Sequence, residues 1–329
     1  MLKVIEGEKE IKKAQQKFMD RFEQLTDEKI PVIIGYPGGH DKAKVSWISS
    51  LDIWTYFGEK AKNRYWNLFG LGKPKKDSMI PIVCEMNIPL NGINRRIGGA
   101  FAIDNAGDVI LIHRGKIGGG RKGIGKARFQ NNYRGKWEIL DDGGFESEVA
   151  LVGALSSSRF TRQVSRFVSE VERIKDLPPF LSPQNQGKHD SHKFSKEFAG
   201  KKKYNLAKNV MANCDHGIIV NDLSDALKNL GHEVGNNKNL DLYIRNSKNK
   251  IISIFEIKTE ITTTSIHTAV GQLLLNSISL SKRPKLILTV PEKVSKTIAN
   301  KLNKLGIELL TFRWKGENAV FKKLNALKF

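Results

Sequence analysis

Two neighbouring runs decide how this chain is read: Asn239-Leu240-Asp241-Leu242-Tyr243-Ile244 and Ile251-Ile252-Ser253-Ile254-Phe255-Glu256-Ile257-Lys258. Both are rich in β-branched and aromatic residues, and the polar stretch Arg245–Lys250 between them reads as a turn, so the pair predicts a β-hairpin. Alternation along the second strand puts Glu256 and Lys258 on one face and Ile257 on the other. Pairing across the hairpin brings Asp241 beside that charged face. Two carboxylates and an ammonium group then converge at one end of a sheet. The plain alternative is a solvent-facing set of charges, with Lys258 and Lys250 answering Asp241 and Glu256; exposed pairs of that kind contribute little.

The convergence has a chemical rationale. Hydrolysis of a phosphodiester calls for a hard cation, and Mg²⁺ takes oxygen ligands in octahedral geometry while keeping several waters. Asp241 and Glu256 each offer an oxygen, and the Ile257 carbonyl offers a third. Such an ion polarises the phosphate and acidifies a bound water. Lys258 is then suited to position or deprotonate that water and to stabilise the developing negative charge.

These residues resemble the PD-(D/E)xK nuclease superfamily, whose restriction-endonuclease-like fold carries an acid on one strand and a (D/E)-x-K tripeptide on the next. Here these are Asp241 and Glu256-Ile257-Lys258, with Leu240 where a proline commonly precedes the first acid. The resemblance extends from about Asn205 to Phe329. It implies an αβββαβ-type order: a helix about Ile219–Leu230, the hairpin, a helix after Lys258, a buried strand Pro284–Val290, a helix about Glu292–Leu305 and a closing run Ile307–Phe312. It also implies a glutamine facing the site from the helix Ala269-Val270-Gly271-Gln272-Leu273-Leu274-Leu275-Asn276. That residue is Gln272, while Asn276 stands where an aromatic is frequent. The superfamily often adds an acid on the helix before the hairpin, where His216, Asp222 and Asp225 lie. Asp222 and Asp225 read better as first-turn residues complementing the helix dipole after a cap at Asn221.

Upstream, Leu177-Pro178-Pro179-Phe180-Leu181-Ser182-Pro183 holds three prolines, which remove backbone donors and restrict their neighbours. The expected organisation is a DNA-recognition domain over 1–177, a linker over 178–200 and a nuclease domain over 201–329. The first domain reads as α+β, joined to an α/β restriction-endonuclease-like domain with a mixed sheet flanked by helices. Its helices are about Glu6–Leu25 and about Ser158–Lys175. Its strands are Pro31–Gly35, Ile80–Met86, Ala100–Ile103, Val109–His113 and Val149–Ala154, with Asn105–Asp108 as a hairpin loop.

The chain has 329 residues and a formal net charge of +21, from 55 Lys+Arg and 34 Asp+Glu. Such a field concentrates polyanions. Residues 1–178 hold 30 basic and 22 acidic residues, and residues 93–136 alone hold ten basic and two acidic. The positive charge of the first domain is thus gathered in one glycine-rich segment. Arg95, Arg96, Arg114, Lys116, Arg121, Lys122, Lys126, Arg128 and Arg134 are the candidate DNA contacts. The glycines there match neither a Walker loop nor a dinucleotide fingerprint. Aromatics crowd Trp47–Phe69; the helical spacing of Trp47, Leu51, Trp54 and Phe57 reads as core packing, against a rival reading as a pocket for a flipped or modified base.

Two distant cysteines, Cys84 and Cys214, argue against a disulfide framework or a structural zinc site. No run reaches the ~18 apolar residues of a membrane span. The charged opening Met1–Lys13 argues against a signal peptide. The expectation is a cytoplasmic, Mg²⁺-dependent DNA endonuclease (Mn²⁺ able to substitute) of restriction or defence type. It would act on double-stranded DNA, with a homodimer needed to cut both strands and modification-dependent cleavage as a variant. The rivals are a structure-specific repair or recombination nuclease and a non-catalytic DNA-binding protein with a nuclease-like fold.

Overall fold

The structure, a computed structural model, describes residues 1–60, 63–117, 124–177, 206–237, 239–278, 280, 283–327 and 329. The proposed linker 178–200 and the glycine-rich centre 118–123, with Arg121 and Lys122, lie outside the described residues. Helices and curled sheets mix throughout, so the fold is of mixed α and β type. Two compact units divide the chain: the described residues of Met1–Tyr133, Trp137–Leu155 and Phe167–Lys208 form the first, and those of Arg134–Lys136, Ser156–Arg166 and Asn209–Phe329 form the second.

The strands of the first unit are β1 (Leu2–Val4), β2 (Glu28–Tyr36), β3 (Gly39–Ile48), β4 (Ile53–Lys60), β5 (Arg64–Leu71), β6 (Met79–Pro81), β7 (Cys84–Glu85), β8 (Ile88–Pro89), β9 (Gly99–Ile103), β10 (Val109–His113), β11 (Trp137–Asp141) and β12 (Glu146–Ala154). β1, β11, β12, β10 and β9 close into a barrel, while β6-β2-β3-β4-β5-β7 form a sheet whose β5 also pairs with β8. Closure removes the unpaired edges that a short sheet would expose. Helix α1 (Glu8–Glu23) follows the predicted face, burying Ile11, Ala14, Phe18 and Phe22. The Phe18 ring meets Phe57 and Phe69 of the sheet and Phe101 of the barrel, so one aromatic cluster joins both to α1. The β9–β10 hairpin turns at Asn105–Gly107 as expected, with Gly107 N–H donating to the Asp104 carbonyl. The remaining helices are α2 (Lys126–Asn132) and α3 (Phe160–Asp176).

The helical spacing of Trp47, Leu51, Trp54 and Phe57 does not produce a helix. Trp47 lies on β3 and Trp54 on β4, directly opposite one another, and both are buried with Trp66. The core role holds, but its origin is cross-strand pairing. Trp54 lies over Gly70 of β5, where a Cβ would fall 2.3 Å from the indole; glycine is what permits that approach.

The second unit contains α4 (Leu206–Asn229), β13 (Glu233–Gly235), β14 (Leu242–Arg245), β15 (Ile251–Ile257), α5 (Thr263–Ile278), β16 (Lys285–Pro291), α6 (Lys296–Lys304), β17 (Ile307–Lys315) and β18 (Asn318–Lys322). Its strands run in chain order across one sheet. β14–β15 and β17–β18 pair antiparallel, whereas β15–β16 and β16–β17 pair parallel. One face packs Ile219, Leu223 and Leu227 of α4 against Leu242, Phe255, Ile287 and Phe312. The other packs Ile266, Ala269 and Leu273 of α5 and Leu302 of α6 against Ile254, Leu286 and Leu288. Burial on both faces is why β16 reads Leu286-Ile287-Leu288-Thr289-Val290, apolar except for the buried Thr289.

Some expected boundaries shift. Ser295 Oγ accepts from Ile298 N–H at 3.3 Å and caps α6, which therefore starts after Glu292. Among the described residues α4 begins at Leu206, so Asn221, Asp222 and Asp225 lie inside it and cannot cap its start. The dipole-capping reading of these residues is overturned. Asp222 instead pairs with Arg162 at 2.6 Å and accepts from Ala319 N–H of β18 at 2.7 Å. Asp225 pairs with Lys228 at the surface. Contacts such as Arg159–Asp215 at 2.5 Å, with Arg162–Asp222, count the start of α3 with the second unit.

Neither Cys84 nor Cys214, one in each unit, forms a disulfide, and burial pushes each thiol up to about 12. No helix among the described residues is long and apolar enough to cross a membrane.

Candidate active site

The hairpin forms, and its register sets the site. Leu242 of β14 lies opposite Phe255 of β15, so the next pair outward is Asp241 with Glu256. Asp241 Oδ2 accepts from Ile257 N–H at 2.8 Å, which fixes the carboxylate at the end of the sheet. Glu256 is buried at 3% exposure, and its Oε1 accepts from Lys258 Nζ at 2.7 Å. Lys258 Nζ also donates to Gln272 Oε1 at 2.9 Å. Helix α5 delivers Gln272 because Ala269 and Leu273, on either side of it, are buried against the sheet. Asn276, in the position where an aromatic was expected, donates from Nδ2 to the Asn239 carbonyl at 2.8 Å. It ties α5 to the segment that leads into Asp241. All four residues singled out as catalytic are therefore brought together.

His216 is the residue that sequence reasoning passed over. From α4 its Nε2 approaches Asp241 Oδ1 at 3.3 Å. The sequence grouped it with nearby acids but gave it no role. Its place depends on α4 extending back beyond Ile219, through residues whose apolar periodicity is weak.

The two acids feel opposite influences. Burial pushes the Glu256 carboxyl up to about 7, the nearby Asp241 charge adds to this, and Lys258 and His216 only partly offset both. For Asp241, burial also works upward, but the His216 hydrogen bond and charge, the Ile257 N–H and Lys258 together outweigh it and hold the carboxyl below its ordinary value. Two carboxylates whose environments separate their proton affinities are characteristic of functional sites.

Among the described residues no three His, Cys, Asp or Glu side chains are gathered as a metal-ligand set. What the site offers is two carboxylates and the Ile257 carbonyl, all hard oxygen donors. Burial and the nearby Asp241 charge raise the Glu256 carboxyl, and a divalent cation would offset both. This donor set fits Mg²⁺, with waters completing the coordination.

The basic residues of the first half divide into groups. Arg95, Arg96, Lys116, Lys126 and Arg134 have exposed side chains. Arg114 is not available to DNA: it is buried, with Nη2 and Nε on Asp142 at 2.7 and 3.1 Å and Nη1 on the Gly99 carbonyl. Burying a guanidinium requires such saturation by partners, and a phosphate would have to displace them. Arg128 is likewise held by the carbonyls of Ile174 and Leu177 at the end of α3. Arg134 belongs to the second unit, where it donates to Asn236 Oδ1 at 3.1 Å.

Comparison of the chain with protein-family models, curated proteins and solved structures finds no match.

Proposed function

We propose that the second unit is a restriction-endonuclease-like domain that hydrolyses phosphodiester bonds in double-stranded DNA with Mg²⁺, and that the first unit contributes recognition. The observation that carries this reading is the convergence of Asp241, Glu256, Lys258 and Gln272, from two strands and a helix, at one end of a mixed sheet. Asp241, Glu256 and the Ile257 carbonyl would hold Mg²⁺, which supplies Lewis acidity toward the phosphate when bound. Ile257 N–H and His216 orient Asp241. Lys258, held between Glu256 and Gln272, presents its ammonium to the reacting phosphate and stabilises the negative charge that develops there. No protein nucleophile is required. One such site cuts one strand, so cleavage of both strands calls for two copies of the chain.

The test is conversion of supercoiled plasmid, methylated and unmethylated, in the presence of Mg²⁺. The parent protein should nick or linearise it, and Glu256→Ala and Lys258→Ala should each slow the reaction by roughly 10²-fold or more. Absence of cleavage on both DNAs, or variants that cut like the parent, would overturn the assignment.

A further inference from the structure

The first unit contains a cavity of about 560 Å³ remote in sequence from the hairpin site. That volume lies within the ~300–1,000 Å³ of small-molecule sites. Among the described residues four cations line it, Arg64, Arg96, Lys116 and Lys175, against a single carboxylate, Glu85. Lys175 is buried at 8% exposure and donates from Nζ to the Val83 carbonyl at 2.6 Å. Arg64 Nε is buried with no hydrogen-bond partner among the described residues. Asn87, also buried, donates to Glu85 Oε2 at 2.5 Å. The rest of the lining includes Tyr36, Ile82, Ile97 and Ile117. Charge, an amide–carboxylate pair and apolar walls together suit a ligand that is part anion and part heterocycle.

A second feature stands beside this cavity. The β11–β12 hairpin turns through Asp142-Gly143-Gly144-Phe145, with both glycines at positive φ, 71° and 81°. Asp142 N–H donates to the Phe145 carbonyl at 2.8 Å, and Gly144 N–H donates to Asp141 Oδ1 at 2.8 Å. The buried Asp142–Arg114 pair anchors the turn from below. At its tip Phe145 is 67% exposed, a large apolar side chain held out on a hydrogen-bonded turn. The Arg95 guanidinium covers the ring at 4.7 Å, and the Arg95 carbonyl accepts from Lys116 Nζ at 2.6 Å. Arg95 thus connects the exposed ring to Arg96 and Lys116 of the cavity wall.

We propose that the first unit extracts a nucleotide from duplex DNA. Phe145 enters the base stack as a wedge, and the displaced nucleotide enters the cavity. There Glu85 and Asn87 meet the base edge, while Arg64, Arg96 and Lys116 meet its phosphates. This rests on the DNA-directed reading above and adds the form of the substrate to it. Apolar wedges inserted between base steps, and pockets that take the unpaired base, are the two physical elements such extrusion needs.

The experiment measures binding of the full-length chain, with Ca²⁺ in place of Mg²⁺, to two duplexes. One is fully paired, and the other carries 2-aminopurine in a single central mismatch. Because a mismatch lowers the cost of unpairing, the mismatched duplex should bind about tenfold tighter, with a several-fold rise in 2-aminopurine fluorescence. Phe145→Ala and Arg96→Ala should each lose both the preference and the fluorescence rise. Phe145 is exposed and Arg96 lies on the surface, and far-UV circular dichroism verifies that both variants are folded. Equal binding of the two duplexes without a fluorescence change overturns the extrusion proposal and leaves the nuclease reading intact. Failure to bind either duplex overturns both. A mismatch preference and fluorescence rise undiminished in Phe145→Ala would refute the wedge.

Discussion

Glu256 concentrates the energetics of the candidate site in one side chain. With its carboxyl at about 7 against an ordinary 4.5, the folded protein holds a proton between those values that the unfolded chain has released. Stability from this group is full below about pH 4.5 and declines as pH rises through 7. The depressed Asp241 acts only at lower pH, where stability falls as its carboxylate is protonated, so the two windows do not overlap. In chelator-treated protein, Tm should therefore fall from about pH 5 to about pH 8, and Glu256→Gln should remove much of that decline. Mg²⁺ should raise Tm more at the higher pH, where it no longer competes with the proton. Calorimetry giving an identical pH slope in Glu256→Gln would contradict this origin. Asp241, Glu256 and Lys258 were legible in the sequence because one hairpin carries all three, and strand alternation needs no knowledge of the rest. Gln272 was legible only through resemblance. His216 was not, because its role requires a helix-to-sheet distance that no local pattern encodes.

Among the elements, α3 and α4 hold an interaction that sequence reading assigned differently. Asp222 binds Arg162 Nη2 at 2.6 Å and Nη1 at 3.0 Å, and also accepts from Ala319 N–H. One carboxylate thus ties the start of α3, the middle of α4 and the edge strand β18 within the second unit. Removing it leaves a largely buried guanidinium and an amide unanswered. Asp222→Ala should cost about 3 kcal/mol in urea-induced unfolding of that unit, whereas a loss below about 0.5 kcal/mol would mean that water replaces the carboxylate at little cost. The amphipathic helices α1 and α3 and the apolar strands β10 and β16 were legible, because each carries its period in a few consecutive residues. The barrel was not. It closes through β1 pairing with β11 and β9, residues separated by about a hundred positions and joined by no local signal. Likewise β3 and β4 carry aromatics whose spacing imitates a helical face, and only the cross-strand register resolves them.

Across the molecule, the +21 charge is distributed between outward display and internal structure. Arg114 and Arg128 serve the interior, so the cationic surface is smaller than composition alone suggests. Arg95, Arg96, Lys116 and Lys126 remain exposed. Under the proposed function, DNA affinity should fall steeply with salt: engagement of about six to ten phosphates corresponds to a loss of roughly 10³–10⁵ between about 50 and 200 mM. Fluorescence anisotropy on an uncleaved duplex measures the slope, and an affinity insensitive to salt would remove charge from the account. The two buried cysteines carry a different consequence. Cys84 belongs to the first unit and Cys214 to the second, and a thiol pushed up to about 12 behind closed packing supplies almost no thiolate to an attacking reagent. Each unit therefore contains its own shuttered sulfur. Pulsed alkylation followed by peptide mass analysis turns the pair into two internal clocks, timing how often each half of the chain breathes open.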